Sequence, residues 1–145
     1  MFPPTEFLSL AQQLLKDARL QPRAEANSAR VRTALGRTYY ALYLLVRAEI
    51  ARRHGVSLRS LQHGAMYTRL QSPRASDEVR QLGRDLQLLY TLRQMADYEL
   101  DPAPSWKKQL EDAEGAAALV RRAGELARTL PRLDFSPVVS LFDQR

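Results

Sequence analysis

Apolar residues recur along this chain at steps of three and four, the spacing that stacks side chains on one face of an α-helix. Nowhere do apolar and polar residues alternate as in a half-buried strand, and β-branched residues do not cluster. The pattern predicts an all-α fold with no sheet. A first helix is expected over residues 5–20, with Thr5 as N-cap, Phe7, Leu10, Leu14 and Ala18 on its apolar face, and Pro22 as its stop. A long second helix is expected over 23–54, ending at Gly55. Its apolar residues fall on several sides. Val31, Leu35, Thr38, Leu42 and Leu45 form one stripe, Tyr39, Tyr43, Val46 and Ile50 another, and alanines at 34, 41 and 48 a third. A helix that is apolar on several sides is surrounded by others, so the second helix is expected to be central.

A short third helix is expected over 60–71, closed by Ser72-Pro73, and a fourth over 76–100, where Asp77 and Glu78 suit the positive end of the helix dipole. Asp101-Pro102-Ala103-Pro104 breaks the chain before a fifth helix over 105–130. The whole reads as an antiparallel up-and-down bundle of about five helices in residues 1–130. Residues 131–145 form an extension carrying Leu133, Phe135, Val138, Val139, Leu141 and Phe142, too apolar for a free tail and expected to dock on the bundle or on a partner. The alanine stripe and this extension have no obvious use in a lone bundle, which points to a homodimer.

Composition narrows the chemistry. A chain of 145 residues with 45% hydrophobic and 26% charged residues makes one ordinary globular domain. It contains no cysteine, which excludes disulfides and thiolate metal sites. The two histidines, His54 and His63, do not have zinc-ligand spacing. There is no glycine-rich phosphate loop and no serine in a nucleophile elbow. Neither metal nor cofactor is expected. No basic stretch followed by an apolar run opens the chain, and no apolar window has the length of a membrane span; the expected location is cytoplasmic. The net charge is +6, and lysine occurs only at 16, 107 and 108, so arginine carries nearly all of the positive charge. Arginine's planar fork suits phosphate, which points to an acidic partner such as nucleic acid. A GC-rich genome gives the same arginine bias, and here the arginines are scattered along the chain.

Four groups of residues break the pattern. The fourth helix reads Val79, Leu82, Leu86, Leu89, then Arg93, then Ala96, so an arginine stands where the stripe calls for a core residue. A buried unpaired arginine is too costly to tolerate. Asp97, one turn on, has the spacing of an ion pair; that spacing favours a structural tie at the helix end over an arginine held in a cleft. Arg30 and Arg37 lie one heptad apart on the second helix, either lining a groove or sitting at a solvated edge. His54, in Arg52-Arg53-His54-Gly55, is a cation at the negative end of a helix. His63 is the other neutral-pH proton carrier. On an ideal helix Tyr98 stands about 140° round from Arg93, so the two are not expected to meet without helix distortion or a second protomer.

Two stretches carry a family resemblance: Ser28-Ala29-Arg30 through Gly36-Arg37-Thr38-Tyr39-Tyr40-Ala41-Leu42-Tyr43, and Leu89-Tyr90-Thr91-Leu92-Arg93-Gln94-Met95-Ala96-Asp97-Tyr98. With His63-Gly64 between them, they resemble the HEPN proteins, in particular a small prokaryotic branch with an Arg-x-x-Ala-Asp-Tyr motif. The likeness covers about residues 5–130. It implies a dimerising helical bundle that binds nucleotides or RNA. Many members are metal-independent ribonucleases, some of them toxins paired with a nucleotidyltransferase antitoxin. By that resemblance Arg93, Tyr98 and His63 are the catalytic candidates, and Arg30, Arg37, Tyr40 and Asp97 the nucleotide- or RNA-binding ones. The family's ribonuclease signature is arginine, four to six residues, then histidine; five residues after Arg93 this chain has Tyr98. The alternative is a non-catalytic helical interaction module that partners a nucleotidyltransferase.

Overall fold

The computed structural model describes residues 3–21 and 27–142, and within them every regular element is helical. In chain order these are α1 (Thr5–Leu20), α2 (Asn27–His54), α3 (His63–Leu70), α4 (Asp77–Tyr98), α5 (Pro104–Glu111), α6 (Ala113–Thr129) and α7 (Ser136–Phe142). Short 3-10 turns occupy Leu58–Ser60 and Leu130–Arg132. The fold is an all-α antiparallel bundle, as the periodicity predicts. No helix among the described residues is long and apolar enough to cross a membrane.

Helix α2 is the axle. It packs against α1, α4, α5, α6 and α7, and residues from all three of its apolar stripes are buried, among them Ala34, Leu35, Tyr39, Ala41, Leu42, Val46 and Ile50. Even the buried Thr38 hydroxyl is satisfied, donating to the Ala34 carbonyl at 2.8 Å. Ala34 and Ala41 have no accessible surface, so the small-residue stripe is spent on close approach within the chain; Ala48, the third alanine, is exposed. Gly55 ends α2 with a positive φ of 66°, the left-handed conformation that glycine adopts without steric cost.

Several expected boundaries move, each for a local reason. Helix α1 keeps its expected span but not its cap: Pro4 is already helical and no side chain caps the end, because proline's fixed φ begins the turn one residue before Thr5. Its buried face is Leu8, Ala11, Leu15 and Ala18 rather than Phe7, Leu10 and Leu14. Two stripes compete on this helix, and the one carrying the small Ala11 turns inward. The expected start of the second helix at Arg23 lies outside the described residues. The expected third helix starts late: a 3-10 turn, in which the Ser57 hydroxyl accepts from the Arg59 amide, ends at Ser60, and α3 begins only at His63. The single fifth helix is in fact two. Asp112 leaves helical geometry and caps α6, its carboxylate accepting from the Glu114 amide at 3.1 Å; a short acidic side chain competes with helix continuation in this way.

The C-terminal segment folds onto the bundle. Phe135, Val138 and Phe142 are fully buried against it, with α7 lying on α3 and α2. Arg53 anchors the approach, donating to the Leu130 and Leu133 carbonyls and lying over the Phe135 ring. Ala34 and Ala41 of the alanine stripe and the apolar C-terminal segment therefore have partners inside one chain, while Ala48 stays exposed. Because Phe135 is sealed in the common core, Phe135→Ala is expected to cost about 3–5 kcal/mol, lowering the thermal midpoint by roughly 10 °C. Calorimetry reads this directly; an unchanged midpoint would show that the segment lies outside the cooperative unit.

Candidate functional site

Arg93 occupies the α4 stripe position that the sequence leaves anomalous. Its side chain is only 16% exposed, and its charge is compensated three ways. The Asp97 carboxylate lies 3.0 Å from Nε, on the next turn of α4. The Tyr40 ring, from α2, lies 5.1 Å below the guanidinium, and the Tyr98 ring is at 5.9 Å. Aromatic faces attract a cation in this way. The Nε–H is not aimed at the carboxylate, so the Asp97 contact is an ion pair and not a hydrogen bond, and the donor stays unsatisfied within the described residues. The stem of Arg93 lies over bare backbone at Gly36, where an added Cβ would stand 3.8 Å from its Cγ.

Across from it, α2 contributes Thr33, Gly36, Arg37 and Tyr40, spaced i, i+3, i+4 and i+7, hence on one face. These residues, with Arg93 and Asp97, line an open cleft of 280 Å³ between α2 and α4. Arg37 has no ion pair among the described residues; its guanidinium lies over the Phe7 ring of α1 at 5.2 Å. Two arginines therefore face one cleft with a single carboxylate between them, leaving a net charge of about +1. A larger depression, 730 Å³, at Asp101, Pro102, Lys107, Lys108 and Glu111 mixes both charge signs without any aromatic face, and has no such convergence.

His63 sits beside this cleft in a cluster of tyrosines. Its ring stacks on Tyr43 at 4.2 Å and lies 5.6–6.3 Å from Tyr39, Tyr40 and Tyr90. Its Nδ1 is hydrogen-bonded to the Tyr39 hydroxyl. Burial, followed by neighbouring tyrosines, raises the Tyr39 pKa far above the usual phenol value. Tyr39 is therefore the donor, Nδ1 accepts, and the imidazole carries its proton on Nε2. Burial first, then the positive charges of Arg93 and Arg47, pushes the His63 pKa below its ordinary 6.5, so at pH 7 the ring is neutral. The Tyr43 hydroxyl donates to the Leu61 carbonyl at 2.7 Å, holding the chain just before α3.

The structure thus brings Arg37, Tyr40, Arg93, Asp97 and Tyr98 together and places His63 one ring away. It does not bring in Arg30, which donates to Asn27 at 2.9 Å, two turns before Arg37. The expectation that Tyr98 cannot meet Arg93 within one chain is corrected. The helix is undistorted there, with the Glu99 amide bonded to the Met95 carbonyl at 2.9 Å. Arg93 is long enough to reach forward, and the exposed Tyr98 ring folds back over it. Sequence reasoning gives no site role to Tyr39 or Tyr43, whose apolar spacing reads as core, nor to Tyr90 or Arg47. It also gives none to Arg32, which donates to the Met95, Ala96 and Glu99 carbonyls and so caps the end of α4 that carries the site. Among the described residues no three histidine, aspartate or glutamate side chains converge to hold a metal ion. No protein-family model, no curated protein and no solved structure matches this chain.

The neutral state of His63 has a consequence for stability. With the folded pKa below 6.5, the unfolded chain takes up the proton first as pH falls. Stability is then complete above about pH 6.5 and declines below it, until the folded protein also protonates. Unfolding midpoints measured from pH 7.5 to 5 are expected to fall, and His63→Gln is expected to flatten that decline. An equally steep decline in the variant would remove His63 as its cause.

Proposed function

We propose that this chain is a HEPN-like RNA- or nucleotide-binding protein, with the Arg37–Arg93 cleft as its phosphate site. The observation that carries the reading is the meeting of two arginines from different helices in an open cleft with one carboxylate. Like charges repel unless an anion lies between them, and Asp97 neutralises only one of the two. A bound phosphate supplies the second anion, paired with the Arg37 and Arg93 guanidiniums across the cleft. Tyr98, 68% exposed, and Tyr40 offer ring faces on which a base stacks. This cleft joins the two stretches on which the HEPN resemblance rests.

The chemistry favours binding over cleavage. Transfer of a ribose proton calls for a base near neutrality. Phenols as a class ionise well above neutrality, which makes Tyr98 a poor candidate. His63 is neutral, but its accepting nitrogen is taken up by Tyr39. A toxin-type ribonuclease is the narrower form of the proposal, with Arg93 stabilising phosphate charge and His63 or Tyr98 moving the proton after rearrangement. The second reading is a non-catalytic module for a protein partner, a nucleotidyltransferase or a second copy. It draws support from Leu100, 95% exposed next to Tyr98 at the end of α4.

Arg93→Ala separates the readings. Under the phosphate reading it weakens RNA binding by roughly tenfold or more, the worth of a charge-assisted hydrogen bond. It also lowers the slope of log affinity against log salt by about 0.7 for a single strand. If the folded variant binds RNA as the parent does and has only lost thermal stability, Arg93 is structural and the phosphate reading falls. Fluorescence anisotropy at several salt concentrations and a melting curve on one purified variant provide both readouts.

A further inference from the structure

The cleft does not end at Tyr40. On α2, Thr33, Tyr40 and Arg47 stand one heptad apart, which on an ideal helix puts each within about 20° of the last. Thr33 and Tyr40 line the cleft, so Arg47 continues the same line toward α3. The two ends are joined by aromatic rings: Tyr40 lies 6.3 Å from His63, and His63 stacks on Tyr43. Arg47 reaches the Tyr43 hydroxyl, and the charges of Arg47 and Arg93 both bear on the His63 ring between them.

Arg47 resembles Arg93 in a second respect. Its Nε is buried without a hydrogen-bond partner, and among the described residues no carboxylate pairs with it. The nearest acid along the helix, Glu49, is engaged by Arg52 and Arg53. Most other arginines with a recorded contact are taken up structurally: Arg32 and Arg53 on carbonyls, Arg19, Arg80 and Arg122 on carboxylates. Arg37, Arg47 and Arg93 are distinguished by lying along one aromatic-lined path with donors to spare.

We infer that the ligand is a single-stranded oligonucleotide rather than a mononucleotide, its backbone running along α2 from the Arg37–Arg93 cleft to a second phosphate contact at Arg47. The inference rests on the phosphate reading of the cleft and extends it. From Arg37 to Arg47 is ten residues, about 15 Å of helix axis at 1.5 Å each. A stacked strand advances about 3.4 Å per nucleotide, so the path takes on the order of four nucleotides. The part-exposed rings of Tyr40 and His63 lie between the two phosphate contacts, where bases stack without regard to sequence.

The test uses the full chain and two probes, a fluorescein-labelled octauridylate and uridine 5′-monophosphate. Arg47→Met keeps the aliphatic stem and removes the charge. It is expected to weaken octauridylate binding roughly tenfold and to lower its salt slope by about 0.7, while the monophosphate titration, followed by NMR shifts, stays unchanged. Arg47→Lys is expected to keep most of the salt slope. A folded Arg47→Met that binds octauridylate as the parent does, or that weakens both probes equally, overturns the second contact while leaving the first cleft standing. Failure of the parent protein to bind either probe overturns the phosphate reading itself, and this inference with it.

Discussion

Everything in this fold follows from the need to bury α2 on nearly all sides. A helix of 28 residues with bulky side chains on two stripes and alanines on a third can be satisfied only by neighbours all round it, and α1, α4, α5, α6 and α7 supply them. The alanines set how closely a neighbour approaches and the tyrosines fill what remains. Polar groups that α2 carries have only the seams between neighbours in which to emerge. Thr33, Arg37 and Tyr40 share such a seam, and it opens toward α4. The cleft is thus a consequence of burying the axle, placed where a line of polar side chains interrupts an otherwise apolar helix.

Arginine does two separable jobs here, and its chemistry explains both. At helix ends Arg32 and Arg53 each serve several carbonyls at once, which a forked donor does without needing a carboxylate. In the cleft, Arg93 is held by one carboxylate and two ring faces, a mixture that tolerates partial burial but leaves donor capacity unused. The capping arginine supports the other kind: Arg32 fixes the last turn of α4, which carries Asp97 and Tyr98. Loss of that cap frays the turn that positions the ion pair.

The tyrosine cluster around His63 is the stiff wall of the site. Tyr39 donates a hydrogen bond to Nδ1, Tyr43 stacks on the ring and ties its hydroxyl to Leu61, and Tyr90 closes the side toward α4. Such a network fixes the tautomer and keeps the imidazole uncharged between two arginines. A neutral ring there offers a stacking face without adding a third positive charge. The same network occupies the nitrogen that a general base needs.

The sequence by itself determined the helical class, the central place of α2, its stop at Gly55 and the Arg93–Asp97 pair, because each is written within one or two turns of a single helix. A three- or four-residue spacing fixes which side chains share a face whatever lies opposite. It did not determine which of two apolar stripes on α1 turns inward, that Asp112 splits the fifth helix, or that the C-terminal segment docks on its own bundle. Those outcomes depend on which neighbour offers the closer fit, and on a capping bond competing with helix continuation. The tertiary structure alone brought Arg37 to face Arg93, enclosed His63 in tyrosines and left Arg30 outside. Contacts between helices are set by how the faces of separate elements meet, and spacing along one helix carries no record of the helix across from it.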